Sequence, residues 1–214
     1  MNEGRKIEVL KPFGPSVAKT IIPEDILNKL NEYVEEIIKD ENKKKSQNHG
    51  DKLAGNVTQE FKIEKNFAEK IGWLDFLYDA SHKWIEVSIG KQISEFNLLE
   101  SWIVRQFANE YNPSHFHGGH ISGAGFLKVP SNFGETVQKE KTRNLNGKLK
   151  MIHGNRQFLS QSMYVVTPKV GDFYFFPHYL MHLVYPFSGT DEERRSISFN
   201  AEVDENIFNV YGKS

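Results

Sequence analysis

The chain has no cysteine among its 214 residues. Disulfides and thiolate metal ligands are therefore excluded, and a reducing compartment fits. No apolar run approaches the ~20 residues that a membrane-spanning helix needs. The opening residues, MNEGRKIEVLKPFG, lack the apolar core of a signal peptide, so a cytoplasmic protein is expected. An excess of either charge is missing too: 27 Lys and Arg stand against 28 Asp and Glu, a formal net charge of -1. Composition thus gives no electrostatic case for nucleic acid or an anionic membrane. The run Lys43, Lys44, Lys45 is local and reads as a solvated loop. Internal repeats and low-complexity tracts are absent.

What is present is ordinary for a soluble globular chain: 38% hydrophobic and 26% charged residues, long enough to bury a core without staples. The 16 phenylalanines suit a β-rich core. The first third reads as helical. Pro23 has the look of a first-turn proline, followed by the acidic Glu24 and Asp25. Ile26, Leu27, Leu30, Tyr33, Val34, Ile37 and Ile38 then keep helical spacing. A polar loop is expected from about Asp40 to Gly55, and a second helix from Phe67 to Ile85. After about Asn97 the texture changes to short apolar runs: LLESWIVRQF, ISGAGFLKVP, GKLKMIHG, SMYVVTP, GDFYFFP, MHLVYPF and RRSISFNAEV. Gly, Pro and Asn-Gly separate them, the pattern of a sandwich or barrel. The expected fold is mainly β with flanking helices. It is a single domain with an N-terminal strand and helices over about 1–96, packed outside a jelly roll over about 97–214.

Histidine is scarce, 8 in all, yet His115, His117 and His120 fall within YNPSHFHGGHISGAG. Residues two apart on a strand point to one face, so an extended His115-x-His117 presents two imidazoles together. Two imidazoles begin a site for Zn, Fe, Ni or Cu but do not complete it. The direction of His120, beyond two glycines, is open. The candidate third ligand is His182, 67 positions after His115, which alternatively is a satisfied core histidine. His178 would share its face if 178–182 were a helical turn, and otherwise reads as a polar rim residue. In RRSISFN, Arg194, Ser196 and Ser198 share one strand face, and Arg195, Ile197 and Phe199 the other. The second face packs on protein. The first is either a carboxylate anchor inside a barrel or a polar face in water.

Taken in order, these features resemble the iron(II)- and 2-oxoglutarate-dependent oxygenases, and most closely the largely uncharacterised branch found in marine bacteria and phages. The matching residues are Trp102, Asn112, Pro113, His115, His117, Ser122-Gly123, Gly171-Asp172, Phe176-Pro177, His182, VYPF (184–187), Arg194, Ser196 and SFN (198–200). LKPFGPSVAKTIIP and DKLAGNVTQEF extend the likeness into the first third, while about 131–147 matches least. The resemblance implies a double-stranded β-helix. It implies a hydroxylase-type dioxygenase with Fe(II) as cofactor and with 2-oxoglutarate and O2 as cosubstrates, releasing succinate and CO2. It makes His115 and His182 iron ligands and Arg194, helped by Ser196, the grip on the far carboxylate of 2-oxoglutarate. No further side chain is needed as acid or base. The family's middle ligand is usually Asp or Glu; here the position holds His117. Either His117 fills that slot, or it stands outside and water fills it.

Two other readings compete. One is a cupin-like jelly-roll protein with three histidines on another metal and no 2-oxoglutarate. The other is a non-catalytic domain with a vestigial site. Arg194-x-Ser196 counts against the first, and the joint presence of His115, His182 and Arg194 against the second. The primary substrate, expected to be set by entrance loops near 131–147 and 47–55, is not readable, nor is the oligomeric state.

Overall fold

A computed structural model describes residues 14–50, 53–138 and 140–210. The stretch LKPFG, most of which precedes residue 14, and Lys139 of the middle loop lie outside them. Helix α1 spans Glu24–Ile38 and buries Ile26, Leu30, Val34 and Ile37, the stripe expected from spacing. Pro23 caps it from one position before the first turn. The tri-lysine run is not a loop: it sits in a short exposed helix, α2 (Glu41–Ser46). The Asp40 carboxylate caps α2 by accepting from the amides of Asn42 and Lys43. The expected second helix is two. α3 (Lys65–Lys70) and α4 (Trp73–Ile89) are separated at Gly72, whose φ of 80° lies in the left-handed region that glycine enters without penalty.

Among the described residues, ten strands follow the expected apolar runs and add three to them. The additions are β1 (Ala18–Ile21), β2 (Gln59–Lys62) and β4 (Asn112–His115). The others are β3 (Phe96–Gln106), β5 (Ile121–Lys128), β6 (Leu149–Ile152), β7 (Met163–Val166), β8 (Asp172–Pro177), β9 (Met181–Val184) and β10 (Arg194–Val203). A six-stranded sheet runs β1-β8-β5-β10-β3-β2, and a four-stranded sheet runs β4-β9-β6-β7. All pairings between them are antiparallel. This is the jelly roll expected from the sequence, with β1 and β2 of the N-terminal region completing its larger sheet.

Alternation sorts the side chains of the large sheet into two cores. Ile103, Ile197, Phe199, Phe173 and Phe175 face outward and pack with the apolar stripes of α1 and α4. Phe126, Tyr174 and Phe176 face inward, against Leu149, Met151 and Val166 of the smaller sheet. Gly123 lets the outer aromatics lie flat on β5: a Cβ there would come within 2.5 Å of Phe199 and 2.6 Å of Phe173. The face of β10 carrying Arg195 is buried against protein, as alternation predicts. Arg195 is 1% exposed and pairs with Glu193 at 2.6 Å and with Glu35 of α1 at 2.7 Å. It also bonds the Asn31 side chain, so one guanidinium fastens α1 to the sheet.

Candidate metal and cosubstrate site

His115 ends β4 and His182 lies in β9, and the two are directly paired across the ladder. Each ring is held by a backbone carbonyl two residues earlier. Nδ1 of His115 donates to Pro113 at 2.7 Å, and Nδ1 of His182 donates to Leu180 at 2.8 Å. A carbonyl can only accept, so both Nδ1 atoms carry the proton and both Nε2 atoms present a lone pair. Pinning a histidine through its other nitrogen is the usual way of aiming a metal ligand. His117 lies beyond the end of β4, so the strand alternation invoked for it does not apply. A two-way bridge places it instead. Its amide donates to the His178 carbonyl at 3.0 Å, and Nδ1 of His178 donates to the His117 carbonyl at 3.0 Å. His117 Nε2 then stands 3.2 Å from His182 Nε2. One candidate donor atom from each of the three histidines falls within a sphere of mutual separations no larger than 4.8 Å.

Burial keeps these imidazoles neutral. It is the largest cause of the fall of His117 to about 3, to which His182 and His115 add, and of the fall of His182 to about 4, to which His115 adds. His115 is lowered by burial as well. Neutral nitrogen is what a divalent ion requires. The 3.2 Å between the His117 and His182 nitrogens also fits: two nitrogens each about 2.1 Å from one ion stand about 3.0–3.4 Å apart at ordinary coordination angles. Trp102 lies against His117, with ring centroids 5.5 Å apart, and Phe176 meets His182 edge-on.

The other two histidines do not join the cluster. Nδ1 of His120 is at the Val203 backbone, and its ring stacks on Phe208 at 3.9 Å. Residues 178–180 form a turn rather than a helix, so His178 does not share a face with His182. It is more than a rim residue, however, since it positions the backbone of His117.

The same cavity, about 270 Å³, is lined by the three histidines and by Arg194, Ser196 and Ser198. The inward face of β10 is thus the cavity wall rather than a solvated surface. Arg194 is 2% exposed. Its Nε donates to the Gly147 carbonyl at 3.1 Å, its Nη1 to Ser196 Oγ at 3.2 Å, and the guanidinium lies over the Phe126 ring. Burial pushes its pKa down to about 9. Among the described residues no carboxylate forms an ion pair with it. A buried guanidinium without a counter-charge is costly and is relieved by a bound anion. Of the two loops expected at the entrance, the described part of 131–147 meets Arg194 through the Gly147 carbonyl, and 47–55 lines the cavity with Leu53, Ala54 and Gly55. Four acidic or amide lining residues were given no role in the sequence reading: Glu60, Glu100, Asn112 and Asn200. Asn112 and Asn200 had a signal, their places in the resemblance.

Residues 100–200 match the sequence model of the family described as "Putative 2OG-Fe(II) oxygenase". Over that span, just under half of the chain, it is similar to the 2OG-Fe(II) oxygenase superfamily. The matched span holds all three clustered histidines together with Arg194 and Ser196. Solved structures share its fold at low identity. A Pseudomonas putida prolyl-4-hydroxylase is 16% identical, with 86% of this chain and 91% of that one covered and a TM-score of 0.52. AviO1 from Streptomyces viridochromogenes is 13% identical, with 90% of each chain covered and a TM-score of 0.56. HygX from Streptomyces hygroscopicus, solved with nickel and 2-oxoglutarate bound, is 12% identical, with 88% and 82% covered and a TM-score of 0.54. No curated protein matches the chain. Among the described residues, no helix is long and apolar enough to cross a membrane.

The depressed histidines carry a pH dependence. In the unfolded chain they titrate near 6.5; in the metal-free fold His117 and His182 stay neutral down to about 3 and 4. Between those values the unfolded state binds more protons, so stability is full above 6.5 and is lost as pH falls toward 4. Each such histidine contributes about 1.4 kcal/mol per pH unit in that window. Urea denaturation of chelator-treated protein at pH 7.5 and pH 5 is expected to show the loss, and the His117→Gln variant should show less of it.

Proposed function

We propose that the chain is an Fe(II)- and 2-oxoglutarate-dependent oxygenase in which His115, His117 and His182 hold the iron and Arg194, with Ser196, holds 2-oxoglutarate. The observation that carries the assignment is a buried guanidinium with no acidic partner among the described residues, facing one cavity with three neutral imidazoles. With 2-oxoglutarate and O2, bound iron supplies an oxidative decarboxylation to succinate and CO2 coupled to oxidation, typically hydroxylation, of a substrate C–H bond. This chain's residues bind, orient and shield. The paired carbonyls of Pro113 and Leu180 fix the ligand tautomers. The Arg194 fork meets a carboxylate in two-pronged fashion while Gly147 and Ser196 hold it still. Trp102, Leu149 and Val184 give the cavity dry walls, and Phe176 packs against the His182 ring.

The whole chain works as one domain in this proposal, because β1 and β2 are strands of the same sheet as β10. A reducing, cytoplasmic setting belongs to it as well, since the ferrous state must be kept. Elemental analysis after anaerobic loading, with thermal shifts in 2-oxoglutarate, tests the assignment. About one Fe(II) per chain and stabilisation by 2-oxoglutarate are expected. Metal binding with no response to 2-oxoglutarate would return the protein to the cupin-like reading.

A further inference from the structure

The cavity has a second polar end. Glu60, on the edge strand β2, is registered opposite Val104 of β3, and both line the cavity. It is 2% exposed, and its Oε2 has no hydrogen-bond partner among the described residues. None of the ion pairs among those residues neutralises it. Burial, and then the Glu110 carboxylate, push its pKa up to about 7, the mark of a carboxylate lacking a cation. Among the described residues, position 55 of the loop beside it places no side chain against Glu60 Oε1, because it is glycine. A Cβ there would lie 2.8 Å from Glu60 Oε1 and 2.8 Å from Asn112 Oδ1, so two acceptors converge on a space kept free of side chain.

A second carboxylate stands farther along β3. Glu100 Oε1 accepts from Asn200 Nδ2 at 2.8 Å, and Oε2 is 3.2 Å from His49 Nε2, so its direction is set. Between the rows of Glu60 and Glu100 lies Trp102, an aromatic wall that tolerates cations. The Arg194 end therefore suits an anion, and the Glu60 and Glu100 end suits a cation that donates hydrogen bonds.

We propose that Glu60, assisted by Glu100 and Asn112, selects a substrate whose reacting portion carries a cationic nitrogen, an ammonium or guanidinium on a slender aliphatic stem. The inference rests on the oxygenase reading, in which 2-oxoglutarate takes the Arg194 end and leaves only part of about 270 Å³ for substrate. Glu60 is then a specificity residue that neutralises its buried charge with the substrate, and exchange for an uncharged isostere leaves that nitrogen unpartnered.

The test is a binding titration under anaerobic conditions with Fe(II)-loaded protein. The probes are the N-acetyl amides of lysine and arginine and their neutral counterparts from norleucine and citrulline, followed by ligand-observed NMR. The cationic members should bind about tenfold or more tightly than the neutral ones, and Glu60→Gln should remove most of that preference. Gly55→Ala, which fills the space before the two acceptors without removing charge, should weaken the cationic probes as well. Titration of 2-oxoglutarate by calorimetry should change by less than about twofold in both variants, and it reads the functional assignment separately. Equal binding of neutral and cationic probes, no binding of any probe, or a preference that survives in both variants overturns the proposal.

Discussion

The His182→Ala variant is expected to bind no stoichiometric iron. His182 is 4% exposed, its ring is fixed by the Leu180 carbonyl, and its Nε2 lies 3.2 Å from that of His117. The remaining pair, His115 and His117, would be left with one open edge toward the missing ring. Elemental analysis after desalting reads the result, and undiminished iron in the variant would end the assignment. His117 can be separated from it in the same assay. His117→Ala should lose most of the affinity, whereas His117→Asp should keep iron, restoring the charge usual in this superfamily. A loss of only about 10–100-fold in His117→Ala would make His117 an outer group and give its slot to water. His120 is no longer a substitute, because its Nδ1 is at Val203 and its ring lies on Phe208.

Arg194→Ala should weaken 2-oxoglutarate by ~2–5 kcal/mol, the worth of a buried charged pair. Its neighbour gives the control. Arg195→Ala should leave 2-oxoglutarate affinity nearly unchanged but destabilise the fold by about 3–5 kcal/mol, since Glu193 and Glu35 each lose a partner. Calorimetry on both variants and thermal melts of both decide the matter. A larger binding loss at Arg195 would mean that β10 presents the opposite face to the cavity.

That contrast shows what was legible in the sequence. Period-two alternation in RRSISFN places Arg194 and Ser196 on one face and Arg195 on the other, and the ladder obeys it. The apolar runs after Asn97 each became a strand because each is bounded by turn residues and buried on one or both faces. His115 and His182 were nominated singly by motif, but their direct pairing is a long-range register that no local pattern carries. Other features escaped for local reasons. β2 has four residues among polar neighbours, so nothing local marks Glu60 as buried. The break at Gly72 is invisible to apolar spacing, which continues through it. His178 acts through two backbone hydrogen bonds, and backbone contacts leave no trace in residue type. Of the two loops expected at the entrance, 47–55 supplies Leu53, Ala54 and Gly55 to the cavity lining, whereas 131–147 meets Arg194 through the Gly147 carbonyl.

β4 is the outer strand of the four-stranded sheet, bonded along one side only, to β9. An ion shared by His115 and His182 would bridge that single seam. Opening of β4 would then require release of the ion, and the frequency of opening would fall as free iron rises above its dissociation constant. The amide protons of Asn112, Ser114 and His115 should exchange with deuterated solvent at an iron-dependent rate, while those of the doubly flanked β5 should not respond. The seam would thus work as a gauge of iron supply, with the chain frayed and open to proteases along one strand when iron is short and closed when it is plentiful.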